Sequence, residues 1–269
     1  MIAALALAIN IVAAENFYGD VARQIGGSRV HVTSILTNPD EDPHLFEASP
    51  SVARALAGAQ IVVYNGIDYD PWVPKLLASS PSPARTTIAV ARLIGKKPGD
   101  NPHIWYDPAT MRAFARALAQ NLERIDPGSR ASYEDNLTRF ERSLDPIDAR
   151  IAAMRKRLAG TPVVVTEPVF NYMLDALGMH VLDKRFALAV MNNTEPGAKE
   201  VAAFENDLRE HRARLMIYNS QASDPVAQHM REIAQRSHVP VVGATETEPP
   251  ATTYQGWVST ELDAVSAAL

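Results

Sequence analysis

The chain has 269 residues, enough for one large core or for two of about 130 residues each, close to the usual domain size. With 46% hydrophobic and 21% charged residues it reads as an ordinary globular sequence and not a disordered one, and its net charge of −5 argues against nucleic acid, which selects basic faces. Cysteine is absent, which removes disulfides and thiolate metal ligands together and leaves seven histidines as the nitrogen ligands that side chains could supply.

The opening MIAALALA is short, apolar and rich in small residues, like the tail of a secretory signal, and leads to the expectation of an exported protein. The competing reading is a first strand that runs straight into the core. No later run of about eighteen apolar residues offers a membrane-spanning helix.

In the first half, strand and helix signals alternate. Ile9 to Ala13 reads as a buried strand and Phe17 to Ile25 as a helix stopped by Gly26-Gly27. Val30 to Leu36 alternates as a strand and opens into TNPDEDPHLFEA. Ser49-Pro50 starts a helix with a capping side chain and a proline at the first position, where its missing N–H costs nothing. Gln60 to Tyr64 is a third strand, a helical segment follows around Pro71 to Leu77, and Thr86 to Val90 is a fourth strand. After the loop RLIGKKPGDNPHIWY, Asp107-Pro108 repeats the cap-plus-proline start of a helix that runs to about Arg124.

Ser129 to Ala159 contains no glycine, and its apolar residues Leu137, Phe140, Leu144, Ile147, Ile151, Met154 and Leu158 step by three or four, the period of one long helix. Continuous, it would span roughly 45 Å at about 1.5 Å per residue. Pro146 should bend it, and the alternative is two helices broken at Asp145-Pro146.

The second half repeats the scheme. Val163 to Thr166 is a strand leading into Glu167-Pro168 and a helix that stops at Gly178, and His180 to Leu182 is a weaker strand. A helix begins near Glu195-Pro196, Leu215 to Tyr218 is the next strand, Asp224-Pro225 opens another helix, Val239 to Gly243 is the last strand and Tyr254 to Leu269 the closing helix. Two sets of alternating strand and helix predict an α/β protein of two lobes, each a mostly parallel sheet flanked by helices. The lobes take 1–128 and 160–269, and 129–159 is the linker helix.

Parallel sheets place ligands in the loops beyond the carboxyl ends of their strands. That rule nominates His44, His103, Glu167 and Glu246, two from each half. Imidazole nitrogen and carboxylate oxygen are the donors a first-row divalent cation uses where no thiolate is available. Each histidine follows a proline, in Asp42-Pro43-His44 and Asn101-Pro102-His103, which restricts the backbone leading into it. Taken singly, these residues have ordinary readings: a loop histidine is usually solvated, and a Glu before a helix proline usually complements the helix dipole.

Together they carry a likeness. DPHLFEASPSVARALAGAQIVVYNG resembles the first ligand segment of the solute-binding receptors of zinc and manganese ABC transporters, the ZnuA/TroA-like family (cluster A-I). NPHIWYDP resembles the second segment, VVVTEPVFNYMLDALG the third and VPVVGATETEPPATTYQGW the last. The likeness covers essentially the whole chain in order.

It implies a long helix joining two lobes, with a Zn2+ or Mn2+ ion in the cleft held by His44, His103, Glu167 and Glu246. Glu246 stands where the family usually has Asp, and Glu248, two residues on, is the alternative. The family likeness further implies a monomeric periplasmic or extracellular receptor, without catalytic activity, that delivers metal to a membrane ABC permease. Glu at the third position resembles the manganese and iron branch, whereas raw affinity favours zinc, so the metal stays open between the two. IYNSQ at Ile217 to Gln221 replaces a commoner Glu-x-Gln, and the His-rich acidic loop of many zinc receptors is absent. A metal-dependent enzyme with a His/His/carboxylate site and a receptor for an organic solute are the rival classes.

Among the remaining polar residues, Asp40, Glu41, Asp42 and Glu47 read as solvated charges and Asp107 as a helix cap. Asn65, Asn101 and Asn219 read as turn formers ahead of ligand-orienting donors. Trp72, Trp105 and Trp257 read as core. His31, His180, His211, His229 and His238 read as structural residues of strands or helix faces.

Overall fold

A computed structural model describes residues 8–39, 46–192, 194–222 and 224–269. The apolar start, the acidic stretch Asp40–Asp42 and His44 lie outside them. The first half contains β1 (Ile9–Glu15), α1 (Asn16–Gly26), β2 (Val30–Leu36), α2 (Pro50–Gly58), β3 (Ile61–Tyr64), α3 (Trp72–Ser79), β4 (Thr86–Ala89), α4 (Val90–Leu93) and α5 (Thr110–Ile125). The long α6 (Arg130–Leu158) follows. The second half contains β5 (Pro162–Val165), α7 (Asn171–Ala176), β6 (His180–Val181), α8 (Lys184–Met191), α9 (Ala198–Arg209), β7 (Leu215–Asn219), α10 (Pro225–Arg236), β8 (Val241–Ala244) and α11 (Tyr254–Ala268).

The strands form two four-stranded sheets of the same topology, β2-β1-β3-β4 and β6-β5-β7-β8. Every pairing is parallel, so each connection must cross over, and helices make the crossovers. The inner strands read as unbroken apolar runs, such as Ile61–Val63 and Val163–Val165, because both faces of a parallel sheet are covered.

The described residues group into two compact units. One falls within Met1–Ile104, Ala109–Leu144 and Thr247–Tyr254, the other within Trp105–Pro108, Asp145–Glu246 and Gln255–Leu269. In the first unit Val12 and Val62 pack against Leu56 and Val73 of α2 and α3, while Tyr18 of α1 sits edge-on to Phe114 of α5 at 5.2 Å between ring centres. In the second, Val164 and Met216 meet Phe186, Phe204, Leu208, Met230 and Ile233 from α8, α9 and α10.

The long helix is unbroken over 29 residues with Pro146 inside it, so the reading as two separate helices fails. Pro146 is exposed, where the carbonyl it leaves without a partner can be hydrated. The first unit takes α6 up to Leu144 and the second from Asp145. Ser49 and Asp224 cap α2 and α10 as expected, accepting from Val52 N at 3.4 Å and Ala227 N at 2.8 Å.

Asp107 is not the cap of α5, which starts at Thr110 after a single turn of 3-10 helix at Ile104–Tyr106. Residues Trp105–Pro108 belong to the second unit and α5 to the first, so the helix begins only after the chain has returned. Likewise α9 starts at Ala198 and not at Glu195-Pro196, and the sequence reading passed over α4 and α8. His211 and His238 lie on neither a strand nor a helix face. Both have φ of +54° and close α9 and α10. At His238 the backbone N–H bonds Gln235 O at 3.1 Å and that of Val239 bonds Ala234 O at 2.9 Å, the paired bonds of a left-handed helix stop that glycine usually makes. Among the described residues no helix is long and apolar enough to cross a membrane.

Candidate metal centre

In the second unit the strand order sets the carboxyl ends of β5, β7 and β8 side by side, with β7 in the middle. Each end supplies one polar residue. Glu167 follows β5 in an extended backbone conformation, makes no helix-capping bond with its side chain and is 5% exposed. It is therefore a buried side chain and not a solvated first-turn charge. Glu246 follows β8 and is 1% exposed.

Asn219, the last residue of β7, lies between them. Its Nδ2 donates to Glu167 Oε2 at 2.5 Å and to Glu246 Oε1 at 2.5 Å. A carboxamide nitrogen carries two hydrogens, and here each serves one carboxylate. The orientation of the amide is fixed independently, because Gln221 N–H donates to Asn219 Oδ1 at 3.0 Å and requires an oxygen there. Gln221 Oε1 in turn accepts from the backbone N–H of Glu246 at 2.5 Å, and Thr166 Oγ1 accepts from that of Asn219 at 3.3 Å. Asn219 is thus a donor to both acids and not merely a turn former.

In the first unit His103 is fully buried in the segment before the Ile104–Tyr106 turn. Its backbone N–H donates to Asn101 Oδ1 at 3.0 Å, and its ring Nδ1 lies 2.6 Å from the same atom. That atom is therefore an acceptor, so the neutral ring carries its proton on Nδ1 and its lone pair on Nε2. A histidine must present such a lone pair to a cation. Asn101 forms a turn, as the sequence suggests, and also sets the tautomer.

Behind this loop, Asn65 Nδ2 donates to Pro102 O at 2.9 Å while Tyr18 Oη donates to Asn65 Oδ1 at 2.7 Å. Asp70 accepts the backbone N–H of Asn65 at 2.6 Å and of Gly66 at 2.9 Å. Glu15, at the carboxyl end of β1, is buried near Asp70, and burial first, then the Asp70 charge, pushes its carboxyl well above the usual range. The sequence reading missed both acids of this pair. The available signal was that Glu15, like Glu167, ends a central strand.

Glu248, the alternative to Glu246, belongs to the first unit. Its backbone exchanges bonds with the Asn16 side chain at 2.7 and 3.0 Å, and its carboxyl, raised to about 8 by burial and then by the Asp20 charge, lines a cavity with Asp20 and Arg23. Of the two acids, it is Glu246 that shares a donor with Glu167. Among the described residues, which do not include His44, no three His, Asp or Glu side chains converge at metal-binding spacing. Glu47 is exposed, as a solvated charge should be.

Two parallel α/β units in one chain, sharing a single long helix and carrying polar clusters at their strand ends, define a solute-binding receptor fold. The chain belongs to the family described as ZnuA, zinc-uptake complex component A, periplasmic, which matches residues 11–268. It is 22% identical over 255 residues to the manganese ABC transporter substrate-binding lipoprotein PsaA of Streptococcus mitis, covering 89% of this chain and 80% of that one. It is 23% identical over 276 residues to the zinc-binding protein TroA of Treponema pallidum, covering 96% and 88%. The solved structure of the periplasmic zinc-binding protein TroA from Treponema pallidum superimposes with a TM-score of 0.81 at 20% identity, covering 97% of this chain and 99% of that one. A crystal structure of ZnuA gives 0.75 at 22% identity, covering 97% and 98%.

Proposed function

We propose that the protein is an extracytoplasmic receptor that captures one divalent transition metal ion, zinc or manganese, and hands it to a membrane ABC permease. His44, His103, Glu167 and Glu246 are the ligands, and the receptor works as a monomer without catalysing a reaction. The observation that carries this reading is the pair of buried acids, Glu167 and Glu246, held on the single amide of Asn219. Two buried carboxylates side by side repel when both are ionised, and a cation between them turns that cost into attraction. The Nε2 lone pair of His103 supports the same reading, and relatives named for manganese and for zinc supply the choice of metal. Four protein ligands leave no open position for the activated water that a metal hydrolase needs.

The test is metal analysis of protein refolded metal-free and then offered equimolar zinc and manganese. About one ion per chain is expected in the wild type, with strong loss in His44→Ala and Glu246→Ala and retention in Glu248→Ala. Wild-type protein that holds neither ion refutes the receptor reading, and loss in Glu248→Ala with retention in Glu246→Ala reverses the assignment of the fourth ligand.

A further inference from the structure

We infer that Asn219, locked by Gln221, is a specificity-determining positioning residue that biases the site toward a four-coordinate ion and so toward zinc over manganese. The inference rests on the receptor reading for its set of four ligands, and the contacts it is argued from belong to the second unit.

The argument begins with the number of hydrogens on one nitrogen. Asn219 Nδ2 has two, and they are given to Glu167 Oε2 and Glu246 Oε1. An oxygen that accepts such a bond has less charge to offer a metal, so each acid is steered to ligate through its other oxygen.

Two acids that each contribute one oxygen, together with two imidazoles, give four donors, which suits the tetrahedral preference of zinc. Manganese prefers a larger shell of oxygens and would draw both oxygens of each acid inward, breaking the bonds to Asn219. The clamp therefore opposes manganese more than zinc.

Its stiffness comes from the neighbours. Asn219 cannot turn its amide over, because Gln221 N–H holds Oδ1, and its backbone N–H is anchored on Thr166 Oγ1. Gln221 Oε1 also fixes the backbone of Glu246, so one Asn-x-Gln segment sets both the amide and the acid that it serves. All three site residues are nine-tenths or more buried.

The experiment measures zinc and manganese affinities separately, by competition with a chelator, for the wild type, Asn219→Ala and Gln221→Ala. It adds the visible absorption of the cobalt(II) forms, which is intense in a four-coordinate site and weak in a six-coordinate one. In Asn219→Ala the zinc affinity should fall about 10- to 100-fold, the range for lost partners of metal ligands. Manganese affinity should fall less, so the zinc-to-manganese ratio contracts, and the cobalt absorption should weaken. Gln221→Ala, which keeps the amide but unlocks it, should move in the same direction by a smaller amount. It carries the test if circular dichroism shows that Asn219→Ala does not fold.

Equal losses for both metals with an unchanged cobalt spectrum would assign Asn219 a purely structural role and overturn the inference while leaving the receptor reading intact. Absence of metal binding by the wild type would instead overturn the receptor reading itself.

Discussion

Replacing Glu261 by Gln tests whether a buried acid of α11 stays protonated in the folded protein. Glu261 is 7% exposed, and its Oε1 accepts from Tyr106 Oη at 2.8 Å, Trp257 Nε1 at 3.0 Å and Thr245 N at 3.2 Å. The three donors on Oε1 favour the ionised form, and burial opposes it. Burial raises the carboxyl from 4.5 to about 8, more than the three hydrogen bonds lower it.

The sign follows from proton counting. Between about pH 4.5 and 8 the folded chain holds a proton here that the unfolded chain has released, so this group's stabilising contribution is complete below pH 4.5 and is lost as pH rises to 8. A separation of about 3.5 pH units at 1.36 kcal/mol each amounts to about 5 kcal/mol over the whole window, of which about 3–4 kcal/mol falls between pH 5 and 8. Glutamine keeps a carbonyl-type oxygen for the same three donors and does not titrate.

Denaturant unfolding of the metal-free wild type and Glu261→Gln at pH 5, 6, 7 and 8 gives the difference directly. The variant should gain on the wild type by about 3–4 kcal/mol from pH 5 to pH 8, whatever their difference at pH 5. A difference that stays constant with pH would show that Glu261 is ionised in the fold and would refute the reasoning.

Two further outcomes follow. Asn101→Ala removes the acceptor that fixes the His103 proton on Nδ1 and should lower metal affinity about 10–100-fold. Nitrogen NMR of the imidazole should then show a mixture of tautomers, whereas a single unchanged tautomer would refute the role of Asn101. His238→Gly should stabilise the second unit by about 0.5–1 kcal/mol in denaturant unfolding, because a side chain at φ +54° is strained while the two backbone bonds of the helix stop remain available to glycine. A net loss of stability would mean that the His238 side chain contributes more than its backbone costs.

The eight strands were legible because parallel sheets write themselves as short apolar runs, and α6 because its apolar stripe continues past Pro146. Segment RFALAVM was not recognised as α8, since a run that is apolar on nearly all sides has neither a strand's nor a helix's period, and its start at Asp183 has left-handed backbone with φ +41°. At the candidate site the strand-end rule located Glu167 and Glu246 from sequence. It could not reveal Asn219 as their common donor, because that depends on β7 lying between β5 and β8, an order unrelated to chain order. Glu15 and Asp70 escaped for the same reason: 55 residues of sequence separate two acids that the first unit buries together.

The protonated acids change how the molecule presents itself in solution. The formal charge of −5 assumes that every carboxyl is ionised, yet burial raises Glu248 and Glu261 to about 8, so at neutral pH two retained protons bring −5 to about −3. Folding therefore takes up protons from the medium, and the native chain migrates in an electric field as a less acidic body than its amino-acid count implies.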